Sequence, residues 1–457
     1  MGVFQNNLMG AAAAAASAGG GGFYDHQIDQ SFRWDSGYLK RTPGSAGNRQ
    51  TWTFSCWVKK AIQPGDTDVM LLNAGTSGNQ SSRFRAYWYS DNLRSSSADA
   101  NYNVSSGVYR DSSAWQHIVW KLTGGTSTQY VNGTSVSTSS VSGDVAINNN
   151  VEHTLGIAGG YETASRFKGY LAEVVFIDGT ALNPTSFASE KNGCWVPDEI
   201  DLTFGSQGYH LNFANASAPG NDVSGNNNDW TNVSLATHDQ MLDTPTFGSD
   251  SGGNFCTLNP LSPTTNGAVY TEGNLKVSPA SNWSSTTYIK GNMHIPKDKK
   301  IYFEASDAGS NGGLFAVGIA RESGVPSGTN VGGAGSVTLY DDSKYVNGTQ
   351  TSSFITQASA GDIVQVAVDG ATGKVWLGIN NTWGGSGDPA AGSNQAGIVT
   401  SFATEHLFPV VAQNSASNLV MNFGQDSSFG AAKTAQGNGG DQEDFTYTPP
   451  SGFVALS

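Results

Sequence analysis

One stretch, residues 51–60 (Thr-Trp-Thr-Phe-Ser-Cys-Trp-Val-Lys-Lys), limits the possible fold more than any other part of the chain. From position 51 to 58, large apolar side chains occupy the even positions and hydroxyl side chains the first three odd positions. A period of two over eight residues predicts a β-strand with one buried face. Trp57 breaks the pattern, because its indole lies on the otherwise polar face. We therefore expect a second layer, the amino-terminal segment or a neighbouring subunit to cover Trp57.

Together with this strand, the length and composition of the chain predict its fold class. The chain has 457 residues, which exceeds the size of one hydrophobic core and indicates two domains of about 200 residues each. Glycine is frequent, with 58 residues, and only 13% of the residues are charged. This composition suits short strands joined by many turns and disfavours helices. The sequence therefore predicts an all-β protein made of two tandem antiparallel β-sandwiches.

Charge and cysteine content exclude several classes of function. The net charge of −14 disfavours nucleic acid as a partner, since an acidic surface repels phosphate backbones. Three cysteines (Cys56, Cys194 and Cys256) match no metal-binding spacing, and Cys56 is expected to be a buried free thiol. We expect no disulfide framework and synthesis in a reducing cytoplasm. No run of about 18 apolar residues occurs, so no membrane span is expected.

The amino terminus is rich in small residues, with an alanine run at 11–16 and a glycine run at 19–22. A secretory signal peptide opens with positive charge, but the first basic residue here is Arg33, so we expect no such peptide. Two interpretations of residues 1–27 remain open. They form either a tail without fixed structure or a docking arm that becomes ordered against other subunits.

Residues 115–136 contain the clearest local signal, a β-hairpin. Residues 115–122 alternate, and Asn132-Gly133 stands between two short strand-like segments. Asn-Gly suits the two central positions of a tight hairpin turn, because both need a positive φ. A turn and one or two helical turns are expected later, at residues 178–190.

Five motifs then follow one another in a recognisable order: 52–58, 115–119, 130–133, 167–174 and 181–182. This order resembles the laminin-G-like branch of the concanavalin A-like lectin/glucanase superfamily over residues 28–235. The resemblance implies a jelly-roll sandwich of two antiparallel sheets. Residues 236–254, rich in Asp, Gly, Ser, Thr and Pro, are predicted to be a linker.

The second half carries a different succession of motifs: Tyr-Phe-Glu at 302–304, Val-Gly-Ile-Ala at 317–320, Gly-Asp-Ile-Val at 361–364, Pro-Val-Val at 409–411 and Asn-Phe-Gly at 422–424. This order resembles the SPRY domain over residues 255–457. The resemblance implies a second β-sandwich, one that binds proteins and has no chemistry of its own.

Catalysis is disfavoured by the carboxylates that the chain offers. Glucanases with this fold place carboxylates at positions i, i+2 and i+4 of one strand, so that all three face one groove. The nearest match is Glu199, Asp201 and Thr203, in which the third carboxylate is missing. We therefore expect no catalytic residues and interpret these charges as solvated.

Asp222, Ser224, Asn226 and Asn228 place oxygen-bearing side chains at alternate positions of one loop. Calcium binds six to eight oxygens, so these residues are the candidate calcium ligands. The spacing is not that of an EF-hand, and Asn and Asp are also common turn formers. No other cofactor or metal is expected.

Two tryptophans are candidate ligand-binding residues, Trp383 and Trp88. Trp383 lies in a glycine-rich segment and is the better candidate for exposure. Trp88 belongs to the run Tyr87-Trp88-Tyr89, part of which must be core because consecutive strand residues face opposite sides. The alternative for both is packing within a sandwich.

The whole chain resembles structural proteins of tailed, marine-type bacteriophages, which share such domain pairs and starts similar to residues 4–11 (Phe-Gln-Asn-Asn-Leu-Met-Gly-Ala). The resemblance implies a non-enzymatic virion surface protein (a tail fibre, spike or head fibre) that binds a host-surface glycan or protein. It further implies contact with other virion proteins through the amino-terminal arm, a location in the virion and a homo-oligomer, for which the trimer is a common case. A capsid decoration protein without a receptor role and, less favoured, a glycan-degrading enzyme are the alternatives.

Overall fold

A computed structural model describes residues 23–61, 68–75, 83–97, 100–159, 165–247, 253–262, 268–278, 288–307, 315–324, 333–399, 404–413, 418–439 and 443–457. The chain separates into two compact units, Met1–Ser249 and Asp250–Ser457. Within the described residues, both units consist of antiparallel strands and short 3₁₀ turns. The predicted all-β class is confirmed. No helix in the described ranges has the length and apolar character needed to span a membrane.

The strands of the first unit are short, and most have nine residues or fewer. They are β1 (Ser31–Trp34), β2 (Tyr38–Arg41), β3 (Trp52–Lys60), β4 (Asp68–Ala74), β5 (Phe84–Tyr89), β6 (Asn92–Ser97), β7 (Ala100–Val108), β8 (Gln116–Thr123), β9 (Thr126–Val131), β10 (Thr134–Ser140), β11 (His153–Leu155), β12 (Gly169–Asp178), β13 (Ala188–Lys191), β14 (Cys194–Pro197), β15 (Tyr209–Leu211), β16 (Thr231–Val233) and β17 (Gln240–Met241), with 3₁₀ turns at Pro184–Ser186 and Thr237–Asp239.

Two sheets form the first sandwich. Sheet A has the order β10-β9-β8-β3-β12-β1-β17, with β15 also paired to β12, and sheet B has the order β16-β2-β11-β4-β5-β6-β7. The core between them contains the even-numbered apolar residues of β3, namely Trp52, Phe54, Cys56 and Val58, each at most 1% exposed. The buried free thiol expected at Cys56 is therefore confirmed.

Trp57 lies on the other face of sheet A and is only 4% exposed. It packs in a second apolar cluster with Ile28 from the amino-terminal side and with Ala188 and Trp195 from the hairpin β13–β14. A second layer therefore covers this indole, and the expectation for Trp57 is confirmed. The layer also explains why every residue of β3 is buried, on both faces of the strand.

The second unit contains β18 (Val269–Thr271), β19 (Lys276–Ser278), β20 (Tyr288–Lys290), β21 (Lys300–Asp307), β22 (Phe315–Arg321), β23 (Ser336–Tyr340), β24 (Ser343–Val346), β25 (Thr349–Thr351), β26 (Ile363–Asp369), β27 (Lys374–Ile379), β28 (Thr382–Trp383), β29 (Gly397–Ile398), β30 (Leu407–Gln413) and β31 (Leu419–Asn422), with 3₁₀ turns at Glu272–Asn274 and Gly384–Ser386. Its two sheets have the orders β18-β19-β31-β21-β26-β27-β28, with β29 also on β27, and β20-β30-β22-β23-β24-β25. An apolar cluster of described residues lies between them.

Three sequence expectations differ from the structure. Residues 187–191 are not helical: after the 3₁₀ turn Pro184–Ser186 the chain enters β13, because Ala188 and Phe187 are needed to cover sheet A. The first part of the predicted linker, 236–247, packs on the first sandwich, where β17 pairs with β1. The predicted arm, residues 1–27, includes residues that pack on the first sandwich. Residues 1–22 lie outside the described residues, but Phe23 and Tyr24 are buried against Cys194 and Val196 of β14.

The Asn132-Gly133 turn is confirmed. Both residues have positive φ, 46° and 75°, and they join β9 to β10 directly. The main chain therefore adopts the left-handed conformation at both central turn positions, as the residue types predict.

Candidate ligand-binding surfaces

Trp383 lies in the edge strand β28, where it pairs with Gly378 of β27. Its ring lies against the glycine backbone, since a Cβ at position 378 would be 3.0 Å from an indole carbon. The side chain is partly exposed, and within the described part of the chain its indole N–H has no hydrogen-bond partner. One face of the ring is therefore supported, and the N–H remains available to a ligand.

Hydrogen bonds hold the loop that follows Trp383. Asp388 and Ser393 exchange both backbone N–H···O bonds, each at 3.0 Å. The indole of Trp376 donates to the Ser393 carbonyl at 2.8 Å, and Lys374 Nζ donates to the Gly392 carbonyl at 2.9 Å. The loop is thus tied to β27 by two side chains, and Trp383 lies on a supported platform.

Two glycines of this platform are required by Phe354, whose ring lies against Gly384 and Gly385. A Cβ at Gly384 would overlap the ring, and Gly385 has a φ of 60°, which favours glycine. Lys344 lies 4.8 Å from the centre of the Phe354 ring and donates to the carbonyl of Ala396. The sequence Trp383-Gly384-Gly385 therefore packs against Phe354 and also leaves the Trp383 ring partly exposed.

Trp88 is not available to a ligand, which corrects the prediction for this residue. It is 1% exposed and lies in the sandwich core beside Phe167. Lys60 Nζ lies 5.0 Å from its ring centre. The alternation of β5 turns Trp88 inward and leaves its neighbour Tyr89 43% exposed on the opposite face.

Arg94 is a candidate residue that sequence reasoning missed. Its guanidinium carbon lies 4.6 Å from the centre of the exposed Tyr89 ring, on the outer face of sheet B. The signal in the sequence was the alternation of residues 84–89, which places Tyr89 outward once Trp88 is assigned to the core. Arg94 itself could not be found this way, since its pairing to β5 depends on the register of β6.

The candidate calcium loop does not fit a cation. Asp222 Oδ1 accepts hydrogen bonds from the backbone N–H groups of His210 and Ser224. Its Oδ2 accepts hydrogen bonds from the backbone N–H of Asn228 and from the hydroxyl of Ser224. Both carboxylate oxygens are thus occupied by donors of the chain. The guanidinium of Arg41 donates to Asn228 Oδ1, so a cation there would meet a positive charge. The amide of Asn226 donates to the carbonyls of Gly205 and Gly208. The loop is a hydrogen-bonded turn.

A serine–histidine pair on sheet A looks like a catalytic dyad but has the wrong tautomer. Ser55 Oγ lies 2.8 Å from His117 Nε2, and the Trp195 indole donates to His117 Nδ1 at 3.0 Å. Because an indole N–H only donates, Nδ1 must accept, and the proton of the neutral ring is on Nε2. Burial lowers the pKa of His117 to about 3, so the ring stays neutral. It donates to Ser55 and cannot remove that proton.

Glu199, Asp201 and Thr203 are exposed, whereas the apolar residues between them, Ile200 and Leu202, pack on the outer face of sheet A. The alternation in this segment therefore serves packing, and its carboxylates point to solvent.

Comparison with known proteins identifies the first sandwich. A family model described as the concanavalin A-like lectin/glucanases superfamily matches residues 35–186. This part of the chain has a laminin-G-like lectin fold. No curated protein matches the chain. The match covers β2 to the 3₁₀ turn Pro184–Ser186, so it includes most of both sheets of the sandwich.

Three solved structures illustrate the similarity in fold. A native heptameric SAP-like pentraxin from Limulus polyphemus is 20% identical, covering 35% of this chain and 80% of that chain, with a TM-score of 0.28. Domain 4 of AbnA, a GH43 extracellular arabinanase from Geobacillus stearothermophilus in complex with arabinotriose, is 18% identical, covering 35% and 76%, with a TM-score of 0.28. A human SPRY domain is 16% identical, covering 34% and 93%, with a TM-score of 0.26. None of these likenesses bears on activity.

Proposed function

We propose that this chain is a non-enzymatic surface protein of a tailed-bacteriophage virion (a tail fibre, spike or head fibre) that binds a glycan or protein on the host surface. The observation that carries the binding role is Trp383, a partly exposed indole with an open N–H on a loop held by hydrogen bonds. Such a ring stacks on the apolar face of a sugar, while the N–H pairs with a hydroxyl.

The lectin-type sandwich at residues 35–186 supports a role in binding. The absence of turnover is supported by the chemistry of the two places where catalysis was conceivable. His117 holds the tautomer that donates to Ser55, and Glu199 and Asp201 alternate with residues that pack on sheet A. Binding is thus the only step that we assign to this protein.

The virion part of the proposal depends on the resemblance of the whole chain, including its Ala- and Gly-rich start, to phage structural proteins. The amino-terminal residues would contact other virion proteins after synthesis in the host cytoplasm. The protein would act as a homo-oligomer, with a trimer as the first stoichiometry to test. Many copies on one particle give avidity, so a weak single site is sufficient.

A glycan array tests the binding role. The full chain is compared with Trp383→Ala and with Thr382→Ala, a matched control in the same edge strand. We expect Trp383→Ala to reduce binding by about tenfold and Thr382→Ala to leave it within twofold, because stacking is lost only in the first. Equal binding by both variants and the wild type would remove Trp383 from the site.

Two further measurements test the rest of the proposal. A reducing-sugar assay on every bound glycan should detect no released sugar. Release of sugar in proportion to the concentration of this protein would show that it is an enzyme. Electron microscopy of labelled particles should locate the protein on a tail or head appendage. A capsid-wide location, with normal adsorption of particles that lack the protein, would indicate a decoration protein.

A further inference from the structure

The outer face of sheet B presents two pairs of a cation and an aromatic ring, Arg85 with Tyr87 and Arg94 with Tyr89. Because Phe84, Ala86 and Trp88 of β5 point into the core, Tyr89 points away from it. In the strand register, Tyr89 faces Asn92 of β6, which in turn faces Val108 of β7. Two residues further along β6, past a shift in register, Arg94 faces Val104. These residues therefore share the outer face of three adjacent strands.

Four side chains on this face, Tyr89, Arg94, Val104 and Val108, form what we call the Tyr89–Arg94 patch. Tyr89 and Val104 are each 43% exposed, and Val108 is 54% exposed. The Arg94 guanidinium carbon lies 4.6 Å from the Tyr89 ring centre. The patch thus combines exposed apolar side chains with one guanidinium group.

Arg94 has no carboxylate and no hydrogen-bond partner within the described residues, although the protein carries a net charge of −14. Its Nε is buried and unpartnered, which costs free energy in a folded protein. Other basic side chains nearby are paired: Arg85 donates to Ser96 Oγ, and Arg110 lies 3.3 Å from Asp91. Arg94 therefore differs from these neighbours in having neither a hydrogen-bond partner nor an ion-pair partner among the described residues.

A guanidinium binds carboxylates through two parallel N–H···O bonds, and it keeps its charge at any physiological pH. A tyrosine ring and two aliphatic side chains beside it offer an apolar surface to the C–H face of a sugar. Asp68, the nearest acid in register on this face, lies opposite Tyr89 on β4, two strands away from Arg94. Asp91, at the turn between β5 and β6, lies 3.3 Å from Arg110, so this carboxylate is already engaged and Arg94 remains available to a ligand.

We propose that the Tyr89–Arg94 patch is a second binding site of the first sandwich, which takes a carboxylate-bearing sugar of an acidic polysaccharide. Arg94 pairs with the carboxylate, and Tyr89 with Val104 and Val108 contacts the sugar ring. This inference rests on the proposed glycan-binding function and adds to it the chemical class of ligand. It is independent of Trp383, which belongs to the second unit.

Oligomers of galacturonate and of the alginate uronates are the probes, each compared with its methyl ester, which lacks the charge. Binding to the full chain is measured by calorimetry at low and at physiological salt. We expect Arg94→Gln to weaken binding of at least one uronate by about tenfold or more, since a charge-assisted bidentate contact is lost. The methyl ester should bind the wild type as weakly as the acid binds the variant.

Arg110→Gln is the matched control, because it removes the same charge from the same end of sheet B but at a residue paired with Asp91. It should change uronate affinity by less than twofold. Tyr89→Ala should weaken the acid and the ester alike, because it removes the contact with the ring. Circular dichroism and the urea midpoint of each variant show whether the fold is retained.

Equal losses in Arg94→Gln and Arg110→Gln would overturn the proposal, since net charge alone would then explain binding. Failure of every uronate to bind would also overturn it, and so would selective binding of a phosphorylated mannan. If the chain binds other glycans through Trp383 while Arg94→Gln changes nothing, the proposed function stands and this inference falls. If no glycan of either kind binds, this inference and the glycan-binding part of the proposed function both fall.

Discussion

At the scale of single residues, the most consequential group outside the candidate sites is a buried ion pair beneath the covering layer of sheet A. Lys59 Nζ lies 2.7 Å from Asp243 Oδ2, and both side chains are at most 1% exposed. The Trp115 indole donates to the other carboxylate oxygen at 2.8 Å. The pair therefore ties residue 243, in the segment predicted to be a linker, to the central strand β3.

Asp243→Asn is expected to destabilise the first unit by about 3–5 kcal/mol, because it leaves the Lys59 ammonium buried without its carboxylate. Urea unfolding followed by tryptophan fluorescence measures this, since eight of the eleven tryptophans (34, 52, 57, 88, 115, 120, 195 and 230) lie in that unit. The double variant Lys59→Met/Asp243→Asn removes the charge and keeps an acceptor for Trp115. It should recover most of the loss; no recovery would mean that the charge is not the cause.

The buried His117 gives the first unit a defined dependence on pH. Burial lowers its pKa to about 3, below the usual value of 6.5, so the unfolded chain takes up a proton first as the pH falls. The contribution of the neutral His117 to the free energy of unfolding is therefore fully present above pH 6.5. It is lost as the pH falls toward 3, by about 1.4 kcal/mol per pH unit. His153, whose pKa burial lowers to about 4, adds to this slope.

His117→Gln keeps an acceptor for Trp195 and a donor for Ser55 but does not titrate. We expect a smaller loss of unfolding free energy between pH 6.5 and 4.5 than in the wild type, with the remaining slope due to His153. The partly exposed His238→Gln serves as the control and should follow the wild type. A variant His117→Gln with an unchanged slope would show that His117 is protonated in the folded protein.

At the scale of elements, the outer layer of sheet A is assembled from segments far apart in sequence. The hairpin β13–β14 contributes Trp195 and Val196, the amino-terminal side contributes Ile28, and β17 contributes Met241. The hydroxyl of Thr246 bonds both the N–H and the carbonyl of Ile28. A segment whose composition predicts a polar linker therefore packs over the outer face of sheet A.

At the same scale, the packing of the loop after β28 leads to a prediction. Gly384→Ala should destabilise the second unit by about 1–3 kcal/mol, because the added Cβ overlaps the Phe354 ring. The same substitution in a Phe354→Ala background should cost much less, and calorimetric unfolding of the four proteins forms a double-mutant cycle. Equal costs in both backgrounds would assign the loss to the backbone of position 384 and not to the ring.

At the scale of the whole molecule, the packing of residues 23–28 sets where the chain tolerates truncation. Phe23 and Tyr24 are 7% and 8% exposed, and Ile28 is 3% exposed. Removal of residues 1–22 should leave the urea midpoint of the first unit unchanged. Removal of residues 1–28 should lower its unfolding free energy by about 3 kcal/mol or more, since three large apolar side chains leave the covering layer.

The two truncations also separate stability from assembly. Under the proposed function, the chain without residues 1–22 stays folded but fails to enter particles, which a western blot of purified virions measures. Normal incorporation of that shorter chain would remove the docking role from its amino terminus. An equal midpoint for both truncations would show that the layer over Trp57 does not depend on Ile28.

Much of the fold could be predicted from local patterns. β3 and β8 lie where alternation predicts strands, and Asn132-Gly133 forms the predicted turn. The sequence does not predict β6 and β7, because their serine- and asparagine-rich stretches carry no apolar period, and β13 lies where helical turns are expected. Their strand conformation comes from pairing with neighbours, a long-range effect that a window of residues does not contain.

The sequence by itself determined the all-β class, the inward residues of the strongest strands, the buried thiol of Cys56 and the need for a cover over Trp57. Only the tertiary structure decided what provides that cover, that Trp88 is core and that Asp222 bonds its own loop. It alone placed Arg94 beside Tyr89. The physical reason is that alternation within a strand is local, whereas strand register, strand pairing and the pairing of charged side chains depend on residues far apart in the chain.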